Sequence, residues 1–125
     1  MKLDALMDTG NSLTDLMSEK PVLLAECEAV QKLIPHNLRA VFQSPAGKAS
    51  QELMQSDALK ALHFRMIPFD SVGGEGLLPA FRTDRIVIQG GKTEVCAEGI
   101  YVAVSSRPFA GGEYDVLLNP QLRWV

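Results

Sequence analysis

From His63 onward the chain is written as short apolar runs cut by glycine pairs, and this punctuation constrains the fold more than any other feature. Residues 64–69, 85–89, 95–97 and 100–104 are each strand-length and rich in β-branched, aromatic or other apolar side chains. Gly73-Gly74, Gly90-Gly91 and Gly111-Gly112 separate or follow them. Glycine reaches positive φ without steric cost, so paired glycines between such runs predict hairpins. Gly90-Gly91, set between Ile86-Val87-Ile88 and Val95, predicts the tightest of these turns. The expectation is a mainly β, barrel-like fold with one or two short helices.

The first half is less regular. Residues 2–7 alternate imperfectly and predict a strand that delivers its end to Asp8, and residues 21–25 predict a second short strand. Between 26 and 34, Cys27, Val30, Leu33 and Ile34 stand at helical spacing, with Pro35 as the stop. Residues 43–56 are polar around Pro45-Ala46-Gly47 and read either as a surface loop or as part of a short helix over 49–59.

Composition fits one domain, residues 1–125. With 46% hydrophobic and 22% charged residues the chain can bury a single core and lacks the bias of a disordered segment. Twelve basic residues against fifteen acidic give a net charge of -3, so no chain-wide attraction to nucleic acid or an anionic membrane is expected. No apolar run reaches the roughly 18 to 20 residues that a membrane span needs, and no signal peptide opens the chain. Cys27 and Cys96 read as reduced thiols. Together with His36 and His63 they lack the short ligand spacing of a structural zinc site, so neither a metal nor an organic cofactor is expected.

Chemistry concentrates in Leu6-Met7-Asp8-Thr9-Gly10-Asn11-Ser12-Leu13. An acidic residue leaves a strand-like run and enters a glycine-containing turn, which is how a carboxylate can be held rigidly on a cleft floor. Aspartic peptidases need that arrangement twice, because two carboxylates must share one proton so that one acts as base and the other as acid. Only one Asp-Thr-Gly occurs here, so a complete site needs a second copy of the chain, with Asp8 facing Asp8 across a two-fold axis. The alternative is an Asx turn at Asp8, with Ser12 and Asp15 capping a helical turn over 13–17. Farther on, Ser71, Val72, Gly73, Gly74, Glu75 and Gly76 form a candidate flap, a hairpin that folds over bound peptide and excludes water. The same glycines also suit a plain mobile connection. They do not suit a phosphate cradle, for no Lys-Ser or Lys-Thr follows and Glu75 is acidic.

Three ordered blocks carry a family resemblance across most of the chain. The first is Asp8-Thr9-Gly10-Asn11-Ser12-Leu13 with Thr14-Asp15 and Lys20-Pro21-Val22. The second is Arg65-Met66-Ile67-Pro68-Phe69, Ser71-Val72-Gly73 and Gly76-Leu77-Leu78-Pro79, and the third is Asp115-Val116-Leu117-Leu118-Asn119. Together they resemble the catalytic domain of the sporulation sigma-E factor-processing peptidases. The resemblance implies a retroviral-protease-like aspartic endopeptidase, active as a homodimer, that trims the pro-sequence from a sigma-factor precursor. It also implies attachment to the cytoplasmic face of the membrane through a segment absent from this chain, and an activating protein partner. Thr9 would bond across the dimer, Gly10 would offer its backbone to the carboxylate, and Asn11 replaces the alanine or serine of retroviral and pepsin-like enzymes. Val116-Leu117-Leu118-Asn119 resembles the segment that crosses beneath the active site, with Leu118 in place of the usual glycine; an ordinary buried strand is the other reading. Trp124 and Val125 are candidate dimer contacts.

Two further functions compete. A noncatalytic β-rich domain could bind a protein partner through a sheet edge. Phosphoryl transfer from an Asp8 nucleophile fits poorly, because no second acidic residue in a magnesium-ligand pattern accompanies it.

Overall fold

Strand β7, Tyr101–Ser105, is buried along nearly its whole length, and the other strands are ordered around it. The computed structural model describes residues 2–7, 13, 19–43, 55–71, 74–106 and 114–119. Among them the strands are β1 (Ala5–Met7), β2 (Leu23–Glu26), β3 (Arg65–Ser71), β4 (Gly74–Arg82), β5 (Arg85–Gly90), β6 (Thr93–Glu98), β7 and β8 (Val116–Leu118). Six of them form one open sheet in the order β1-β8-β2-β7-β4-β3, and β5 and β6 form a separate ribbon. Two of the pairings, β1 with β8 and β2 with β7, are parallel; the others are antiparallel. The mainly β architecture expected from the sequence is present.

Side-chain alternation explains how the sheet divides its core. Leu23 and Ala25, Phe81, Val102 and Val104, and Val116 and Leu118 share one face, which the helices cover. Val22, Ile67, Ala80, Tyr101 and Ala103 share the other, with Leu13, Leu24 and Leu78 packed against them. A strand buried on both sides cannot alternate apolar with charged residues, and Tyr-Val-Ala-Val accordingly carries no charge. Prolines sit where the ladder tolerates them. Pro68 lies in the edge strand β3, and Pro79 comes just before Ala80, where the pairing of β4 with β7 begins.

The β5–β6 hairpin forms where the glycine pair predicts it. Gly90 pairs with Thr93, so Gly91 and Lys92 make the turn, and Gly91 takes a φ of +59°. Of the pair, Gly91 and not Gly90 needs glycine for its backbone. The hairpin expected at Gly111-Gly112 lies outside the described residues.

The helices are shorter and more numerous than expected. The predicted helix over 26–34 resolves into α1 (Cys27–Val30) followed by a 3-10 turn, Gln31–Leu33. Ile34 is already extended, at φ -107° and ψ 124°, because the residue before Pro35 is pushed out of the helical region. Cys27, Val30 and Ile34 are buried as the spacing requires, whereas Leu33 is 46% exposed. Helix α2 (Arg39–Gln43), led in by the 3-10 turn His36–Leu38, lies outside every predicted element although Leu38, Val41 and Phe42 stand at i, i+3, i+4. Helix α3 (Asp57–Ala61) overlaps the end of the alternative predicted over 49–59; Ser56 caps it by accepting a hydrogen bond from the Leu59 N–H at 3.2 Å.

Both thiols are free, Cys27 in the core and Cys96 exposed on the ribbon. Burial, aided by Glu28 and offset in part by Arg39, pushes the Cys27 thiol up from its usual value, which makes it a poor nucleophile. No helix among the described residues is long and apolar enough to cross a membrane.

Phe42 knits the helical layer to the sheet. It is fully buried and meets Phe64 and Phe81 edge to face, with ring centroids 5.6 and 5.9 Å away. Replacing Phe42 with Ala should lower the unfolding free energy by about 3 to 5 kcal/mol, the usual loss for an aromatic ring removed from a packed core. Urea unfolding followed by circular dichroism checks this, and a loss below about 1 kcal/mol would show that Phe42 is not the keystone of this layer.

Candidate functional site

Asp8, Thr9, Gly10 and Asn11 lie outside the described residues, but the chain on both sides of them is described. On the incoming side β1 runs parallel to β8 in the register Ala5↔Val116, Leu6↔Leu117, Met7↔Leu118. The Asp4 carbonyl accepts from the N–H groups of Asp115 at 2.8 Å and Val116 at 3.2 Å, and the Asp4 N–H donates to Asp115 Oδ2 at 3.2 Å. On the outgoing side the Leu13 carbonyl accepts two hydrogen bonds, from the Val22 N–H at 3.0 Å and from Asn119 Nδ2 at 2.9 Å. The two ends of the segment that carries Asp8 are therefore held by neighbouring residues, Leu118 and Asn119.

Asn119 is the buried polar side chain among the described residues, at 1% exposure. An amide that deep is stable only with partners, and the Leu13 carbonyl supplies one. In the sequence Asn119 stands out only as the end of an apolar run. An asparagine closing Val116-Leu117-Leu118 is the signal that it is buried and bonded.

The β3–β4 hairpin carries the candidate flap residues. Its register runs from Arg65↔Ala80 to Ser71↔Gly74, with Val72 and Gly73 between the arms and outside the described residues. Gly74, Glu75 and Gly76 open β4 opposite Ser71, Asp70 and Phe69. Gly76 has a steric reason of its own. A Cβ there would lie 2.6 Å from Phe69 Cε1, so the glycine makes room for the ring of its cross-strand partner. Within one chain β1 and the β3–β4 hairpin start from opposite edges of the sheet, with β8, β2 and β7 between them.

Two cavities walled by described residues flank the sheet. The larger, about 810 Å³, separates the helix-covered face from the β5–β6 ribbon, with Leu3, Ala5, Leu23, Phe81, Ile86 and Ile88 among its walls. None of the described candidate residues lines it. The smaller, about 310 Å³, lies at the base of the β3–β4 hairpin and is walled by Lys60, His63, Arg65 and Tyr101.

Comparison with known proteins gives the family. A peptidase family model, Peptidase_U4, described as sporulation factor SpoIIGA, matches residues 1–122. A Bacillus thuringiensis subsp. kurstaki protein bearing the name sporulation sigma factor-processing peptidase is 23% identical over 124 residues, a span covering 98% of this chain and 76% of that protein. The sporulation sigma-E factor-processing peptidase of Priestia megaterium (strain ATCC 12872 / QMB1551) is 24% identical over 126 residues, covering 98% of this chain and 40% of its own length. No solved structure matches. With its Asp-Thr-Gly block, its glycine-rich hairpin and its C-terminal Leu-Leu-Asn block all inside a match that runs from residue 1 to residue 122, the chain belongs to the SpoIIGA family, Peptidase_U4.

Proposed function

We propose that this chain is an aspartic endopeptidase domain that works as a homodimer and removes the pro-sequence of a sporulation sigma-factor precursor. The observation that carries this reading is the frame around Asp8: a strand enters the Asp-Thr-Gly segment beside Leu118, and the chain leaves it bonded to Asn119. A carboxylate used as a catalyst must be preorganised, and both ends of its segment are tied to the end of β8 and the residue after it. The names of the relatives support the substrate. Membrane attachment through a segment outside this chain, and an activating protein, belong to the same proposal.

The chemistry follows from one carboxyl group per chain. Two Asp8 side chains meeting across a two-fold axis share a proton, since like charges at that distance disfavour double ionisation. The ionised carboxylate takes a proton from a water whose oxygen bonds to the scissile carbonyl carbon, while the protonated one gives its proton to the carbonyl oxygen. Collapse of the resulting diol breaks the C–N bond, and a proton passes to the departing amine. Thr9 and Gly10 hold the loop, and the β3–β4 hairpin covers the peptide, which lies extended and pairs with backbone groups.

Two predictions test this reading. Co-expression with the precursor should give the shortened product with wild type and none with Asp8→Ala, whose fold is retained; cleavage by a purified, folded Asp8→Ala protein would overturn the mechanism. The frame is tested by Asn119→Asp, which keeps the shape but turns a donor toward the Leu13 carbonyl into an acceptor. At neutral pH the variant should lose about 2 to 3 kcal/mol of stability relative to wild type and most of its processing. Its buried carboxyl has a folded pKa above the unfolded value near 3.9, so the deficit is full above the folded pKa and fades as the pH falls toward the unfolded one. Urea melts of both proteins across that range check the sign, and a deficit independent of pH would place the cause elsewhere.

A further inference from the structure

The small cleft at the base of the β3–β4 hairpin is walled, among the described residues, by Lys60, His63 and Arg65 and by no carboxylate, in a chain whose net charge is -3. Lys60 comes from the last turn of α3, His63 from the residue that reverses the chain after it, and Arg65 from the first position of β3. Tyr101 of β7, with Leu59 and Phe64, supplies the remaining wall. The Arg65 guanidinium lies 4.9 Å above the centre of the Tyr101 ring, which orients a flat cation beside the opening.

His63 is held in a costly conformation to take part. Its φ is +53°, a left-handed geometry at a helix end that glycine or asparagine usually fills. Its carbonyl is fixed by the Tyr101 hydroxyl, which donates to it at 2.6 Å, and the Arg82 backbone N–H holds the preceding carbonyl of Leu62 at 2.9 Å. Arg82 Nη2 lies 2.7 Å from His63 Nε2. A guanidinium can only donate, so Nε2 is the acceptor in this contact. Arg82 thus adds a second guanidinium behind the imidazole. Among the described residues neither Lys60 nor Arg82 pairs with a carboxylate. Backbone strain of this kind persists where the surroundings over-determine it, and it gathers at ligand sites.

We propose that this cleft is a docking site for an acidic peptide segment, with one Asp or Glu side chain entering between Lys60, His63 and Arg65. A planar carboxylate matches a guanidinium fork and an ammonium at close range. The end of α3 that borders the cleft is its carbonyl end, which disfavours a dianion more than a single negative charge, so a carboxylate suits it better than a phosphate. The proposal does not depend on the peptidase reading. Arg65 and Ser71 lie at opposite ends of β3, so the cleft is about 20 Å along the strand from the hairpin tip, at roughly 3.3 Å per residue.

A fluorescein-labelled hexaglutamate peptide is the probe, with anisotropy as the readout and low-salt buffer as the starting condition. Wild type should bind it saturably, and binding should weaken as salt is raised because the contacts are ionic. Lys60→Gln with Arg65→Gln should weaken it by about tenfold or more, the scale of losing two charge-assisted contacts. Arg85→Gln with Lys92→Gln makes the same change in net charge at residues that do not line the cleft and should leave it unchanged. If the Lys60, Arg65 pair of substitutions disturbs the far-ultraviolet spectrum, Lys60→Glu alone, at an exposed position on α3, should still abolish binding. No saturable binding, equal losses from the two double variants, or an undiminished Lys60→Glu would overturn the proposal. Displacement of the peptide by inorganic phosphate at equal concentration would overturn its assignment to a carboxylate.

Discussion

Burial of β7 on both faces is the constraint from which the rest of the sheet follows. Tyr101, Val102, Ala103 and Val104 can leave water on both sides only if their backbone groups are paired with strands to left and right and their side chains are covered by two separate layers. β4 supplies one neighbour and β2 the other. Because β2 runs parallel to β7, the chain must cross from one to the other, and that crossing contains the helices that cover the first face. Once β2 is placed, β8 pairs beside it and β1 beside β8, and β1 ends one residue before Asp8. The strand that leads to the proposed catalytic carboxylate is thus the last to be placed by a core centred on β7.

The Leu13 carbonyl shows how far this dependence reaches. Its donors among the described residues come from residues 22 and 119, so the exit of the Asp8 segment is fixed by two stretches far apart in sequence. Contacts of such sequence separation close late and at an entropic cost, which only a completed core offsets.

The legible parts of the sequence are those set by local chemistry. Gly91 needs a positive φ, the apolar runs after His63 alternate or stay apolar as strands do, and Pro35 stops a helix wherever it stands. Helix α2 was readable in principle from Leu38, Val41 and Phe42, but five residues are too few for periodicity to rise above the flanking polar positions. Leu33 sits on the predicted apolar stripe and is exposed, because the turn after Val30 tightens to 3-10 and rotates it out of line. Parallel pairing between strands nearly eighty residues apart, and the bond from Asn119 to Leu13, carry no local signal at all. The cationic cleft was hidden for the same reason, since Lys60, Arg65, Arg82 and Tyr101 converge only after β3, β4 and β7 have paired. The Asp-Thr-Gly motif, by contrast, needed no fold to be seen.

One Asp-Thr-Gly per chain makes the proposed dimer a matter of stoichiometry. Wild-type chains and Asp8→Ala chains, unfolded together, refolded as mixtures at constant total concentration and assayed on the precursor, read it out. If each active site draws one Asp8 from each of two chains, activity falls as the square of the wild-type fraction, because every mixed dimer is inactive. A linear fall would mean that each chain cuts alone, and would contradict the shared site.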